Sequence, residues 1–349
     1  ASARAACRLR STRSIARGEL EVRRALVFAL VAGQCHFAYA YTKFGAQTSD
    51  GRTVTLKWAQ TPRYFVTSAA VPGVSASDFQ AAIARSFARW EAVPTATIAY
   101  QFIGVTSAQP GEDDGQSTLG FVSHPELDRV LASTSFMVDD TNGTLLESDI
   151  FFNSTFPWSV APNGDSGKFD LESIATHEIG HFSGLGHSAL GETQLSDTGR
   201  AVISAEAVMF PIAYARGSIE ARSLKADDIA GISDIYPAGD FESVTGSISG
   251  KVIDAGTPSF GAHVVAYDLA NGTMVGGLTL TGAGDFSIGG LSPGPHLLRV
   301  EPIDDADLDS FFDHPEDVDL GFRVTFYNKL VVVPRGGDSG IIIIPVTPK

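Results

Sequence analysis

The spacing of apolar residues divides the chain into two blocks with different periodicities. In residues 41–237, short alternating runs typical of strands are mixed with stretches in which apolar residues recur at helical intervals. The clearest helical stretch carries Phe79, Ile83, Phe87 and Trp90 at intervals of four, four and three. These intervals predict an amphipathic helix whose apolar face packs against the core.

End signals define the other elements of this block. Ser75 and Asp78 have the spacing of a capping box at the start of the first helix. Residues 131–138 and 145–152 flank Asn142-Gly143, a dipeptide typical of hairpin turns, so they predict two paired strands. Further predicted elements are strands over 53–58 and 97–102, a helix that begins near Asp170 and a helix over 224–236.

The second block, residues 245–349, has only short apolar runs separated by turns rich in Gly and Pro. Several short strands at this spacing predict a β-sandwich. Residues 238–244, which join the two blocks, have the composition of a linker. The predicted strands are 247–252, 263–267, 285–288, 296–300 and 341–345.

The first forty residues have the pattern of an export signal. An Arg-rich stretch precedes a short apolar run at 25–32, and Ala38-Tyr-Ala40 resembles a cleavage site between small residues. We therefore expect residues 1–40 to be a signal peptide with an N-terminal extension and the protein to be secreted. Cleavage after Ala40 would remove Cys7 and Cys35 and would leave the rest of the chain without cysteine.

Composition excludes several function classes. Among 349 residues, 44% are hydrophobic and 19% charged, with a formal net charge of −15. This balance suits a globular protein and argues against nucleic acid as a partner, because nucleic-acid binding requires clustered Lys and Arg. Two cysteines exclude a disulfide scaffold and a four-cysteine zinc site. No apolar run is long enough for a transmembrane anchor.

One segment has the residue types and spacing of a catalytic metal site. His177 and His181 are four residues apart and project from the same face of a helix. Glu178 lies one residue further round and suits a general base. Gly184 permits a sharp turn, after which His187 can supply a third nitrogen. Three protein ligands leave a fourth position open, which distinguishes a catalytic zinc site from a structural one.

These residues resemble the H-E-x-x-H-x-x-G-x-x-H motif of the metzincins, and within that clan the matrixin family. Ser188 after the third His, residues 207–211 (Ala-Val-Met-Phe-Pro) and residues 224–236 strengthen the likeness to matrixins. The resemblance covers about residues 41–237 and implies an α+β metzincin catalytic domain, with a twisted mixed sheet and three main helices. It further implies a zinc endopeptidase that acts on protein or peptide substrates.

The resemblance also implies individual roles. His177, His181 and His187 would bind the catalytic zinc, and Glu178 would be the general base and proton shuttle. Met209 would form the apolar floor under the metal. Residues 211–217 would form the wall of the specificity pocket, and the edge strand that pairs with substrate would contain Leu131, Ala132 and Ser133.

The chain departs from the matrixin pattern at the second, structural zinc. Ser133 and Phe151 stand where that family has His ligands, so we expect one zinc only. Oxygen ligands for calcium are available instead nearby. The candidate calcium ligands are Asp139, Asp140, Asp149 and Asn153.

Residues 245–349 loosely resemble the transthyretin-like, carboxypeptidase-regulatory type of sandwich, through segments 249–252, 261–267 and 284–294. Three function classes stay open at this point. The first is a secreted zinc endopeptidase. The second is an extracellular adhesin or glycan-binding protein whose sandwich carries the function beside a vestigial metal domain. The third is a structural zinc module. Glu178 argues against the second class, and the three-His ligand set argues against the third.

Overall fold

A computed structural model gives the fold of the chain. It describes residues 4–9, 24–25, 42–48, 52–139, 141–196, 199–303, 308–312 and 314–349. Within these residues a sheet flanked by helices is followed by a β-rich C-terminal region. No helix in the described part of the chain has both the length and the apolar character needed to cross a bilayer.

Among the described residues up to 237, there are three helices of ten residues or more and thirteen strands. The helices are α1 (Ala76–Glu91), α2 (Leu171–Phe182) and α3 (Ala226–Ile235). The strands are β1 (Arg4–Leu9), β2 (Arg24–Ala25), β3 (Gly45–Gln47), β4 (Thr53–Thr55), β5 (Arg63–Thr67), β6 (Gln101–Thr106), β7 (Ser117–Val122), β8 (Val130–Asp139), β9 (Thr144–Asn153), β10 (Trp158–Ser159), β11 (Phe169–Asp170), β12 (Gly191–Ser196) and β13 (Gly199–Ala205). Glu220–Arg222 forms one 3-10 turn.

The main sheet is mixed, in the order β1-β8-β9-β7-β5-β6, and β2 pairs with another part of β8. Strands β5, β6, β7 and β9 run parallel to their neighbours in this group, whereas β8 is antiparallel to β9. A mixed sheet with three longer helices agrees with the α+β class expected for this part.

Helix α1 forms as its apolar spacing predicts. Ser75 is the N-cap, and its side chain accepts a hydrogen bond from the amide of Asp78. Phe79, Ile83 and Trp90 are fully buried, and the Trp90 indole donates to the carbonyl of Thr176 in α2 at 2.9 Å. Each such side chain contributes about 1.5–3 kcal/mol through burial, so the apolar face fixes α1 against α2.

The predicted hairpin is confirmed as β8 and β9. Gly143 has φ +78° in the connecting turn, a conformation that favours glycine. The Asp139 carboxylate accepts hydrogen bonds from Thr141 and Asn142 and thereby caps the turn. The pairing places β9 inside the sheet, next to β7, and leaves β8 nearer the edge.

Several elements differ from the pattern-based prediction. The strand expected at 97–102 is β6, four residues later, because the amide of Thr97 donates to the carbonyl of Tyr236 instead of a sheet neighbour. Strands β5 and β7 were not predicted, since both are short and contain polar residues. The β12–β13 hairpin, which lies between His187 and Met209, was also missed because its outer face exposes Leu195 and Ile203.

The C-terminal region consists mainly of two five-stranded sheets, in the orders β15-β14-β23-β20 with β18 on β14, and β17-β16-β19-β21 with β22 on β19. Its strands are β14 (Gly246–Asp254), β15 (Thr257–Pro258), β16 (Ala262–Asp268), β17 (Met274–Leu278), β18 (Asp285–Leu291), β19 (Gly294–Pro302), β20 (Phe322–Arg323), β21 (Thr325–Phe326), β22 (Val331–Val333) and β23 (Asp338–Pro348). Buried residues of both sheets belong to one core, as the sandwich prediction requires.

Short helical segments interrupt this β-rich region. Helix α4 (Phe241–Val244) lies within residues 238–244, and Phe241 is buried. Helix α5 (Leu308–Phe311) and the 3-10 turn Pro315–Asp317 lie between β19 and β20. Neither was expected from a sequence pattern that contains only strand and turn signals.

Candidate metal centre

Helix α2 carries the first two histidines of the motif on a rigid, buried support. Its N-cap Asp170 accepts a hydrogen bond from the amide of Ser173 at 2.8 Å and forms an ion pair with Arg222. At the other end, Gly184 has φ +100°, where a side chain would be strained and would meet the carbonyl of Leu56. This glycine ends the helix and turns the chain back toward the His177 and His181 side chains.

The three histidines converge through the same ring nitrogen. The Nε2 atom of His181 lies 3.1 Å from Nε2 of His177 and 3.2 Å from Nε2 of His187. Zinc–nitrogen distances near 2.0–2.1 Å in a tetrahedron correspond to nitrogen separations of about 3.3 Å. The spacing of the three nitrogens therefore fits one small divalent cation.

The opposite ring nitrogens define the protonation of each histidine. Nδ1 of His177 is 2.7 Å from the carbonyl oxygen of Val208, and Nδ1 of His181 is 2.8 Å from that of Leu185. Nδ1 of His187 is 3.1 Å from a third carbonyl oxygen. A carbonyl only accepts, so each Nδ1 carries the proton and each Nε2 presents a lone pair. Three lone pairs that face one another are stabilised by a cation.

Burial keeps the imidazoles of His177 and His181 neutral. It lowers the pKa of His177 to about 3, with a further contribution from His187, and it lowers the pKa of His181 well below the usual value. Neutral imidazole is the form that binds metal. In the described part of the chain, these three residues form the only group of at least three His, Cys, Asp or Glu whose ligand atoms lie within 4.8 Å of one another.

Glu178, which follows the first of these histidines in α2, is completely buried. Its Oε2 accepts a hydrogen bond from the Thr134 hydroxyl at 2.6 Å, whereas its Oε1 has no partner. Burial raises the pKa of this carboxyl to about 8, and the Thr134 hydrogen bond opposes the rise. A buried carboxyl oxygen without a partner is costly to leave unpaired, which indicates a site built for a group that is not part of the chain.

Met209 lies directly against helix α2 between the two helical histidines. A Cβ atom at Gly180 would collide with the Met209 sulfur and would crowd Trp90, so only glycine fits at this position. The Met209 turn is held by the buried carboxylate of Asp228, which accepts from the amides of Val208 at 2.8 Å and Met209 at 3.1 Å. Met209 therefore packs against α2 at Gly180, and its role as the floor of the site stays a prediction.

A pocket opens beside His177. Its lining includes Ile174 of α2, Val208, and the side chains of Pro211, Ala213 and Tyr214. The Tyr214 hydroxyl accepts a hydrogen bond from the amide of Ala205, which ties this wall to the β12–β13 hairpin. The pocket lies next to the converging histidines, and residues 211–215 form part of its wall.

A single match decides the family. The model of the matrixin peptidase family matches residues 57–237, about half of the chain, and this segment contains the histidines, Glu178 and Met209. The chain belongs to the matrixin family. Two plant proteins are similar to this matrixin. They are Metalloendoproteinase 4-MMP of Arabidopsis thaliana, 25% identical over 58% of this chain and 52% of that protein, and Metalloendoproteinase 1 of Glycine max, 29% identical over 45% of each.

Each match covers only part of this chain and only part of the matched protein. This matrixin spans about half the length of those two relatives. Among solved structures, the minor pilin GBS52 of Streptococcus agalactiae matches 30% of this chain and 45% of its own, with 13% identity and a TM-score of 0.22. The likeness of residues 245–349 to the transthyretin-like sandwich stays a prediction.

The predicted substrate edge is strand β8 of this matrixin. Leu131, Ala132 and Ser133 are buried, and β9 covers one edge of the strand. Along the other edge, β1 pairs in parallel with β8, with Cys7 opposite Thr134. The edge expected to bind substrate is therefore paired with residues 4–9 of the same chain.

The three candidate calcium ligands in the described part of the chain do not lie together. Asp139 caps the hairpin turn, whereas Asn153 lies at the far end of β9 and binds the carbonyls of His124, Leu127 and Val130 through its amide. Asp149 accepts hydrogen bonds from the amides of Gly111 and Thr118. Asp140 lies outside the described residues. The hairpin register separates the three described ligands, because Asp139 pairs with Thr144, Asp149 lies five positions further along β9, and Asn153 lies four positions beyond Asp149.

Asp149 and Glu147 instead form a pair of buried acidic residues on β9. Glu147 accepts from the amide of Gly115 at 2.6 Å. Burial raises the pKa of Glu147 to about 7 and that of Asp149 to about 8, and the neighbouring carboxylates add to both rises. In the unfolded chain the carboxyl groups of Glu and Asp have pKa values near 4. Between about pH 4 and 8, Glu147 and Asp149 therefore hold more protons in the folded chain than in the unfolded chain, and their contribution to stability falls as pH rises.

Replacing Glu147 by Gln is expected to reduce this fall, because glutamine is neutral at every pH. We expect the free energy of unfolding at pH 8 to rise by about 1 kcal/mol relative to the unmodified chain, with little change at pH 4.5. Urea denaturation at both pH values measures the effect, with the exposed Glu220→Gln as the matched control. Equal pH dependence in both variants would contradict the assigned pKa of Glu147.

Several residues that support the site lie on elements other than α2 and have no recognisable motif in the sequence. Thr134 has no motif signal, because its role depends on β8 lying beside α2. Asp228 stands in the segment that resembles the matrixin C-terminal helix, yet its hydrogen bonds to the Met209 turn follow only from the fold. The carbonyl of Ser310 accepts the hydrogen bond from Nδ1 of His187. Ser310 lies 123 residues from His187, and no sequence pattern indicates this contact.

Proposed function

We propose that this matrixin is a secreted zinc endopeptidase that hydrolyses peptide bonds of protein substrates. One observation carries the proposal: three imidazole lone pairs converge on one point, and the residue after the first of these histidines is a buried Glu with one unpartnered oxygen. His177, His181 and His187 would hold zinc through Nε2. The family implies that metal, and the spacing and protonation of the nitrogens fit it. An adhesin with a vestigial metal domain gives no reason for these features.

Each residue of the site would have a separate role in the reaction. When bound, zinc supplies Lewis acidity, which makes water a nucleophile at neutral pH and stabilises negative charge on the carbonyl oxygen. A cation held by the histidines would favour the ionised form of the Glu178 carboxyl, because a nearby positive charge lowers the pKa of an acid. The free Oε1 of ionised Glu178 would then accept the proton of the attacking water, and the same carboxyl would later deliver it to the departing amine. The Thr134 hydroxyl holds Oε2, so that the carboxyl keeps one orientation through both transfers.

Substrate would bind as an extended strand on the outer edge of β8, because unpaired strand edges bind peptides through backbone hydrogen bonds. One of its side chains would enter the pocket beside His177, between Pro211 and Tyr214. Residues 4–9 are paired with this edge of β8. Removal of residues 1–40 as a signal peptide, which is part of the proposal, would free the edge.

Metal removal tests the proposed function. A zinc chelator is expected to reduce the hydrolysis of casein at least a hundredfold, and equimolar zinc should restore it, because no residue of the site replaces the metal's charge. His187→Ala should show the same loss without chelator, whereas His314→Ala, which changes an exposed histidine, should retain full activity. Casein hydrolysis that survives both the chelator and His187→Ala would contradict the proposal.

A further inference from the structure

The third histidine of the metal centre differs from the other two in where its support comes from. His177 and His181 donate to Val208 and Leu185, which belong to the same part of the chain. His187 donates from Nδ1 to the carbonyl of Ser310, in helix α5 of the C-terminal region. A hydrogen bond at Nδ1 fixes both the orientation of the ring and the tautomer that leaves Nε2 free for a metal.

Helix α5 is held in place by the C-terminal region itself. Phe312, the next residue after the helix, is buried, and its ring packs edge-on against Phe260 at 5.5 Å. Phe312 belongs to a small core with Leu278 of β17, Ile303 directly after β19 and Val318 directly after the 3-10 turn. Phe311 packs against the same core, and its ring lies 6.1 Å from that of His187. The position of the Ser310 carbonyl therefore depends on packing within the C-terminal region.

A second, independent link joins the two parts next to the same ligand. The carboxylate of Asp227, at the start of α3, is 1% exposed and accepts a hydrogen bond from the amide of Gly276 in β17 at 2.9 Å. It also accepts from the hydroxyl of Ser188, the residue after His187. A side chain at Gly276 would collide with His263 and crowd Leu190, so β17 lies close against this segment.

We propose that the C-terminal region is a structural component of the metal centre. The Ser310 carbonyl orients the His187 ring, and Asp227 ties the backbone after His187 to β17. Ser310 and Asp227 are positioning residues, because neither touches the metal position. The proposal rests on the proposed function for the identity of the metal, and it assigns to residues 245–349 a role that does not require them to bind substrate or a surface.

The test weakens the anchor of α5 and measures zinc affinity directly. In the full chain, Phe312→Ala is expected to raise the Kd for zinc about tenfold, the lower end of the range for loss of a partner that supports a metal ligand. The matched control is Phe326→Ala, the same substitution at an exposed position of β21, which should leave the Kd unchanged. Competition with a chromophoric zinc chelator gives the Kd without any measurement of activity.

A second variant covers the case in which Phe312→Ala does not fold. Phe311→Ala retains the buried Phe312 ring and its contact with Phe260 and removes the ring next to His187, so it should also raise the zinc Kd, by several-fold. In both variants, NMR of the imidazole N–H groups should show faster solvent exchange at His187 and unchanged exchange at His177 and His181. A wild-type Kd and unchanged exchange at His187 in the folded variants would overturn the proposal.

The two proposals fail in different ways. If the chain binds zinc but cleaves no substrate, the proposed function fails while the Phe312→Ala and Phe326→Ala comparison still decides the role of the C-terminal region. If the chain cleaves casein in a zinc-dependent manner and both Phe variants bind zinc as tightly as the unmodified chain, only the role of the C-terminal region fails.

Discussion

Replacing Glu178 by Gln is expected to lower kcat for peptide hydrolysis about a thousandfold while zinc binding and the fold are retained. Glutamine has nearly the same shape, and its amide oxygen can still accept the Thr134 hydrogen bond. It cannot accept a proton from water, so both proton transfers lose their carrier. The loss should therefore fall on kcat, with KM changed little, since Glu178 contributes nothing to binding of the substrate backbone.

Steady-state hydrolysis of a fluorogenic peptide measures the effect, and metal analysis after dialysis establishes that zinc is still bound. Glu242→Gln, which alters an exposed carboxylate of helix α4, serves as the matched control and should match the unmodified chain. If Glu178→Gln retains more than a tenth of the original kcat with one zinc per chain, another group is the base.

Replacing Asp228 by Ala is expected to destabilise the chain by about 3 kcal/mol, the largest stability effect we expect from one polar side chain here. Asp228 is 1% exposed and accepts hydrogen bonds from the amides of Val208, Met209 and Lys225. Alanine would leave the Val208 and Met209 amides buried without a partner. The carbonyl of Val208 also supports the His177 ring, so the metal centre should loosen together with the turn.

Urea denaturation of the metal-free chain at pH 7 measures this loss apart from any effect of bound zinc. Asp240→Ala is the control, because Asp240 is exposed and its side chain forms no capping hydrogen bond in helix α4. Substitutions at such surface positions change stability by at most about 0.5 kcal/mol. Equal destabilisation by the two substitutions would show that the hydrogen bonds to the Met209 turn do not stabilise the fold as described.

Patterns that depend on neighbours in the sequence predicted the local structure well. The Ser75 cap, the apolar face of α1 and the Asn142-Gly143 turn are each specified within about four residues, and all three are confirmed. Strand bounds were less accurate where a backbone group pairs outside the sheet, as the amide of Thr97 does with Tyr236. Helix α5 was missed because the packing of Phe312 against Phe260, which holds it, is not visible as a periodicity.

The sequence by itself determined the ligand set, the neighbouring carboxylate and the family, because all of these depend on residue types at fixed short spacings along one helix and one turn. Only the tertiary structure decided the protonation of the three rings, the partner of Glu178 and the support of the Met209 turn. Those features depend on hydroxyls, carboxylates and carbonyls that come from β8, α3 and α5 and from the segments that contain Leu185 and Val208. Most of these hydrogen bonds join residues 19 to 123 positions apart and leave no periodic trace in the chain, so they became visible only once the fold had brought those segments together.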